Sequence, residues 1–266
     1  MKIPPGEVTA PARRKPGRPV LRPAQKDQMR DRILDGSEEL FAEFGFAATS
    51  FRDIARRVQV NPALIGYYFG TKRTLFNEVY KRRGKELTDR WKERLDALES
   101  QPRMATAEQL VRAFLEPQFE LKAKCRPFVQ LQTRVHSEVS QESFALRREV
   151  YDEQAKRFIV MFERALPHLE ANDVISRFIF CIGASLYMIA DVDRSGDLSG
   201  GRMLSRTTEE VIERLTSYCT AGMVAKPTFE GKRSAPKAQQ PRTIPRKVTA
   251  VRAASRAAQP PRGSGP

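Results

Sequence analysis

The sequence predicts an all-α fold. Apolar residues recur at helical spacing between recognisable caps, and strand alternation and tight-hairpin signals are absent. Breaks at Gln101-Pro102, Pro127, Pro167 and the Ser195 to Gly201 loop then divide the chain into about nine helices.

From Ala24 to Phe44 the residues Met29, Ile33, Leu34, Leu40, Phe41 and Phe44 form one stripe, and Gly45 stops it. Ser50 offers an N-cap with Asp53 in capping-box position, and Phe51, Ile54, Ala55 and Val58 supply the apolar face of a short helix. After a turn at Gln59 and Val60, Asn61 caps a second short helix. Pro62 sits at its first position, where a missing N–H costs nothing. Gly70 ends this helix at Phe69, and Thr71 caps a long one that begins with Leu75, Phe76, Val79 and Tyr80 and continues as a charged connector to Ser100. Further helices are expected near 106–122, 126–137, 141–166, 171–193 and 205–222.

The formal charge of +15 is unevenly placed. Residues 1–30 carry eight Lys/Arg against two acids and residues 226–266 carry ten against one, so the chain between them is neutral. Both ends are rich in Pro, Gly, Ala, Gln and Ser, which cannot repay the entropy of ordering, and are expected to be disordered basic segments. Clustered positive charge of this kind suits nucleic acid, because neutralised phosphates release counterions; the plain alternative is a solubilising tail.

Cys125, Cys181 and Cys219 are far apart and lack CxxC spacing, so they read as buried small hydrophobes in a reducing cytoplasm, with no disulfide framework and no metal site. Only His136 and His168 are present, and no phosphate-binding glycine loop or nucleophile motif occurs. An enzyme is therefore disfavoured and no cofactor is expected. The longest apolar-dominated run, Phe178 to Ala190, is thirteen residues, against the roughly 18 of a membrane span, so a soluble cytoplasmic protein is expected.

The order of two short helices, a tight turn between them and a capped third helix is that of a helix-turn-helix, whose second helix enters the DNA major groove. On periodicity alone, paired short helices also fit a plain bundle. The string from Phe46 to Phe76 further resembles the TetR family signature, carried here by Ser50, Ile54, Ala55, Val60, Asn61, Tyr67, Tyr68, Phe69 and Lys72, then Leu75 and Phe76. The resemblance spans about residues 28–85. It implies a three-helix DNA-binding domain joined by a fourth helix to a helical ligand-binding and dimerisation domain, acting as a ligand-released homodimeric repressor on double-stranded DNA.

Expected domains are a basic arm 1–23, the DNA-binding domain 24–84, the helical domain 85–224 and a basic tail 225–266. The expected DNA contacts are Ser50, Arg52, Asn61, Pro62, Ala63, Tyr67, Tyr68 and Lys72, by hydrogen bonds to phosphates, charge and packing on sugar or thymine methyl. The plain reading of Tyr68 is structural. Three positions depart from the family pattern: Gln59 where the turn usually holds Gly, Pro62 where a polar side chain is common, and Gly66 where an aromatic is frequent. Residues Lys15 to Pro19 resemble an AT-hook, with Pro16 in place of its first Arg.

In the helical domain, Phe114, Phe128, Gln132, His136, Tyr151, Phe158, Phe162 and Phe178 are the candidate lining of a pocket for a small apolar ligand. The same residues also fit an ordinary core. The stretch Val129 to Asp191 resembles the PsrA-like, fatty-acid-responsive branch of TetR regulators, which implies a long-chain fatty acid or acyl-CoA. Ile182, Ser185, Leu186 and Ile189, with Val211, Leu215 and Tyr218, are the expected dimer stripes. The rival function is a sequence-nonspecific architectural DNA-binding protein acting through its basic arms.

Overall fold

Ten helices and no strand occur among the described residues: α1 (Pro23–Ala48), α2 (Phe51–Arg57), α3 (Pro62–Phe69), α4 (Lys72–Glu99), α5 (Ala107–Lys124), α6 (Arg126–Ser137), α7 (Gln141–Ala165), α8 (Ala171–Ile189), α9 (Arg194–Ser199) and α10 (Thr208–Val224). The computed structural model describes residues 23–190, 194–202 and 207–227. Residues 15–19 and nearly all of the basic arm and tail lie outside the described residues.

Caps set most boundaries. Capping boxes start α2 (Ser50 with Asp53), α5 (Thr106 with Gln109) and α10 (Thr207 with Glu210), each satisfying two otherwise orphaned N–H groups. Gly45 stops the main run of α1 as expected, by taking φ 80° and ψ 172°, but a short helical extension follows to Ala48. α9 lies in what the sequence presents as a loop; its six residues are too few for an apolar stripe to show.

One continuous core runs from Ile33 to Met223. α4 serves both halves of it. Its first turns place Leu75, Phe76 and Val79 against α1 and α3, with the Phe76 and Phe41 rings 5.1 Å apart edge to face. Its later turns bury Leu87, Trp91 and Leu95 in the bundle, with Trp91 stacked on Phe114 at 5.3 Å. The junction is polar: Glu38 on α1 is 2% exposed and accepts from Arg82 Nη2 at 3.0 Å, Arg83 Nε at 3.0 Å and the Cys125 thiol at 2.6 Å.

The face of α8 differs from expectation. Ser185 and Ile189, like Leu215 on α10, are buried within the bundle, and Ile182, Leu186 and Val211 are half-buried. The inward stripe is Val174, Arg177, Phe178, Cys181, Ser185 and Ile189, which leaves Ile175, Ile179, Phe180 and Tyr187 exposed beside Tyr218. With apolar residues on both sides, α8 has 19 residues and a mean hydropathy of 1.3, long and apolar enough by composition to cross a membrane; the thirteen-residue estimate stopped at its polar first turns.

A close approach fixes α4 on α7. A Cβ on Gly84 would lie 2.4 Å from Val150 Cγ1, so a side chain there would force Val150 to shift. Gly84→Ala is expected to lower stability by about 1–3 kcal/mol through overpacking, and adding Val150→Ala should recover most of it. Denaturant unfolding of the single and double variants checks this.

Candidate nucleic-acid interface and ligand core

α2 and α3 meet through the turn at Gln59, which has φ 52°, the left-handed conformation that glycine adopts most easily. The departure from the family pattern noted above is thus a residue held in a less favourable backbone region. The Val60 N–H donates to Ala55 O at 2.9 Å and closes the turn. Ile54, Ala55, Val58, Ile65 and Phe69 point inward and are buried. Arg52, Asn61, Pro62, Ala63 and Tyr67 are left at the surface, Tyr67 at 71% exposure.

Each expected contact has a distinct place. Asn61 caps α3 through Oδ1, which accepts from Ala63 N at 2.9 Å; its amide NH₂ is the group placed to donate outward from the start of the helix. Tyr68 is half-buried against the core, with its ring 5.5 Å from Tyr67 and 6.2 Å from Phe69, in keeping with the structural alternative.

Two roles change. The Ser50 hydroxyl donates to Asp53 at 2.5 Å and its backbone N–H to the same carboxylate at 3.0 Å, so both donors are occupied by the cap rather than free for phosphate. These bonds hold the Asp53 carboxyl below its usual range. Lys72, an expected phosphate contact, donates to the carbonyls of Phe46 at 2.7 Å, Ala47 at 3.3 Å and Thr49 at 2.8 Å, beneath the Phe46 ring at 4.5 Å. An ammonium has three donors, and here all three tie the start of α4 to the end of α1. Arg56 was not anticipated. It lies one turn after Arg52 on α2 with its side chain 81% exposed, a spacing visible in the sequence.

The eight candidate ligand residues come together in one cluster. The rings of Phe114, Phe158, Phe162 and Phe178 pack 5.1 to 5.7 Å apart. Phe128 lies 5.7 Å from Tyr80. Gln132 Nε2 donates to the Tyr151 hydroxyl at 3.2 Å, which donates to the Tyr80 hydroxyl at 3.1 Å. Burial pushes both phenols up, so they stay protonated. His136 sits 5.6 Å from the Tyr151 ring, with Nδ1 2.9 Å from Gln132 O. Tyr80 and Trp91 belong to this cluster too: Tyr80 lies on the apolar stripe legible at the start of α4, whereas Trp91 stands in sequence among charges that mask it.

Residues 33–79 match the family described as bacterial regulatory proteins, tetR family, and residues 112–222 match the tetracyclin repressor-like C-terminal domain. The chain belongs to the TetR family. The two matched regions of this TetR protein together make up more than half of its length. An HTH-type transcriptional repressor of Mycobacterium tuberculosis is 44% identical over 66 residues, 25% of this chain and 35% of that protein; the match therefore spans about a third of the curated relative. In fold, the chain is similar to a TetR-like transcriptional regulator from Rhodococcus sp. RHA1 (TM-score 0.56, 21% identity, 78% of this chain and 100% of that one). It is also similar to the fatty acid degradation regulator FadR from Bacillus halodurans (TM-score 0.53, 12% identity, 72% and 94%).

Two measurements follow from this geometry. Lys72→Met should lower unfolding stability by about 1–3 kcal/mol, since the carbonyls lose a charged donor; unchanged stability with weaker DNA binding would return Lys72 to the phosphate role. Burial lowers the His136 imidazole from 6.5 to about 4. The unfolded chain therefore binds more protons between those values, and stability, full above pH 6.5, declines toward pH 4 with a slope of up to about 1.4 kcal/mol per unit. His136→Gln should flatten that decline when unfolding is measured from pH 7 to 5.

Proposed function

We propose that this chain is a repressor that binds a pseudo-palindromic operator as a homodimer and leaves it when a small apolar ligand enters the helical domain. The observation that carries this reading is the division of α3: Ile65 and Phe69 are buried while Asn61, Pro62, Ala63 and Tyr67 stand at the surface. A helix so divided is built to place Tyr67 and its N-terminal residues against base edges and sugar, with Arg52 and Arg56 on α2 near the phosphates. Residues 24–84 are the DNA-binding part and 85–224 the ligand and dimer part in this reading, with α4 shared between them.

The exposed rings of Phe180, Tyr187 and Tyr218 support dimerisation. α8 and α10 pack on each other, and the same pair from a second copy would complete a four-helix interface and bury these rings. A partner's helices, rather than lipid, then cover the apolar side of α8, in keeping with a cytoplasmic protein. Isologous pairing repeats α3 about a two-fold axis, which is why the operator is read as a pseudo-palindrome.

The ligand reading rests on the aromatic cluster, whose interior polar groups are neutral. A fatty acid or acyl-CoA suits these apolar walls, and Arg147, which donates to His136 O at 3.2 Å, supplies a cation near the polar end. The similarity to a fatty acid degradation regulator agrees with this choice.

One selection of genomic fragments tests the whole reading, run with the natural chain, Tyr67→Ala and Phe180→Glu, and with the natural chain plus a long-chain fatty acid or acyl-CoA. The natural chain should recover a palindromic motif that Tyr67→Ala loses, that Phe180→Glu recovers at least tenfold less well, and that the lipid depletes. Motif-free binding that survives Tyr67→Ala and falls steeply with salt would instead establish the nonspecific architectural protein. Palindrome recovery that neither lipid alters would remove the lipid as ligand and leave the repressor.

A further inference from the structure

α8 and α10 run antiparallel in a register fixed by one arginine. Arg177 on α8 is 7% exposed and donates to Met223 O at 2.9 Å, Ala225 O at 2.6 Å and Lys226 O at 2.7 Å, which satisfies the end of α10. One turn onward from Arg177 comes Cys181; one turn back from Met223 comes Cys219. The two residues therefore face each other across the helix pair. Both are buried free thiols, with their side chains within hydrogen-bonding reach of each other.

We propose that Cys181 and Cys219 form a redox modification site, which a hydroperoxide closes to an intrachain disulfide joining α8 to α10. The proposal is independent of the operator and ligand readings. The Cys181 thiol donates to Cys219, and this bond raises the proton affinity of Cys181, with burial second to it, and lowers that of Cys219. Cys219 is thus the attacking sulfur. Its thiolate takes one oxygen from the hydroperoxide, giving a sulfenic acid and releasing hydroxide, or alkoxide from an organic hydroperoxide, which takes up the proton that the thiol lost. The Cys181 sulfur then attacks that sulfenic sulfur; the S–S bond forms, the S–O bond breaks, and the oxygen leaves as water with the Cys181 proton. Two thiols and one hydrogen peroxide become one disulfide and two waters.

The neighbours of the pair give this closure a consequence. Phe180 and Tyr218, next in sequence to the two cysteines, are 71% and 73% exposed. A bond of about 2.05 Å between the sulfurs would link α8 to α10 covalently beneath the surface that carries these two rings. Cys125 lies outside this device. Its thiol donates to Glu38 at 2.6 Å.

The test uses the full-length chain with Cys125→Ser, treated with hydrogen peroxide, quenched and denatured. Thiol titration should fall from two per chain to none and return to two with dithiothreitol. Digestion without reductant should yield one peptide pair joining the Cys181 and Cys219 segments, two hydrogens lighter than the separate peptides, and a denaturing gel without reductant should show single chains. The natural chain, as a check on folding of the variant, should keep one thiol. Two thiols still titratable, sulfinic acids at both positions, or chains linked in pairs would each overturn the proposal.

Discussion

A buried carboxylate holds the two halves of this protein together. Glu38 sits at 2% exposure where α1, α4 and the α5–α6 turn converge, and it is tolerated there because Arg82, Arg83 and the Cys125 thiol surround it. An unpaired charge at such depth costs about 3–5 kcal/mol, so all three elements must stay in place together. Arg82 extends the cluster to Asp35 at 2.7 Å and Arg83 to Glu86 at 3.3 Å, which Lys124 approaches at 2.8 Å. Burial of a charge here acts as a constraint on geometry more than as a source of stability: the helix that leads to the α2–α3 surface is oriented by groups that belong to the bundle.

The second constraint is aromatic. Trp91, Phe114, Phe158 and Phe178 pack ring against ring, and Trp91 joins them to Tyr151, whose hydroxyl donates to that of Tyr80. Rings in edge and offset contact gain beyond simple burial, and a pair of protonated phenols gives the centre a directional polar link. Since Tyr80 belongs to α4, any rearrangement of this cluster is felt by the same helix that Glu38 positions. The two constraints act on one rod from opposite sides.

Caps and periodicity made most of the helix boundaries legible, because the signals are local. Ser50 with Asp53 and Asn61 with Pro62 locate α2 and α3 without knowledge of anything distant. Identity of chemistry was legible too, but not its partner. Lys72 is plainly a cation in sequence, and only the fold brings it to three carbonyls that lie 23 to 26 residues earlier. Glu38 looks like an ordinary surface acid beside Glu39, yet one is buried and the other exposed. On α8 both faces are apolar, so periodicity carried no phase and the outward stripe was misplaced. On α4 the reverse held: Leu87, Trp91 and Leu95 form a regular stripe, diluted by the charges around them until the helix read as a mere connector.

The close contact of Gly84 with Val150 has a mechanical meaning. α4 is 28 residues long, about 42 Å at 1.5 Å per residue, and the contact lies near its middle, where a missing side chain lets α7 press against the helix backbone. Such a point is a fulcrum. A tilt of about 10° there would carry either end of the rod through roughly 3 to 4 Å, close to the 3.4 Å step between stacked base pairs. Angular changes too small to disturb the packing of a core are therefore large enough, at the far end of this lever, to displace α2 and α3 by a distance comparable to one such step.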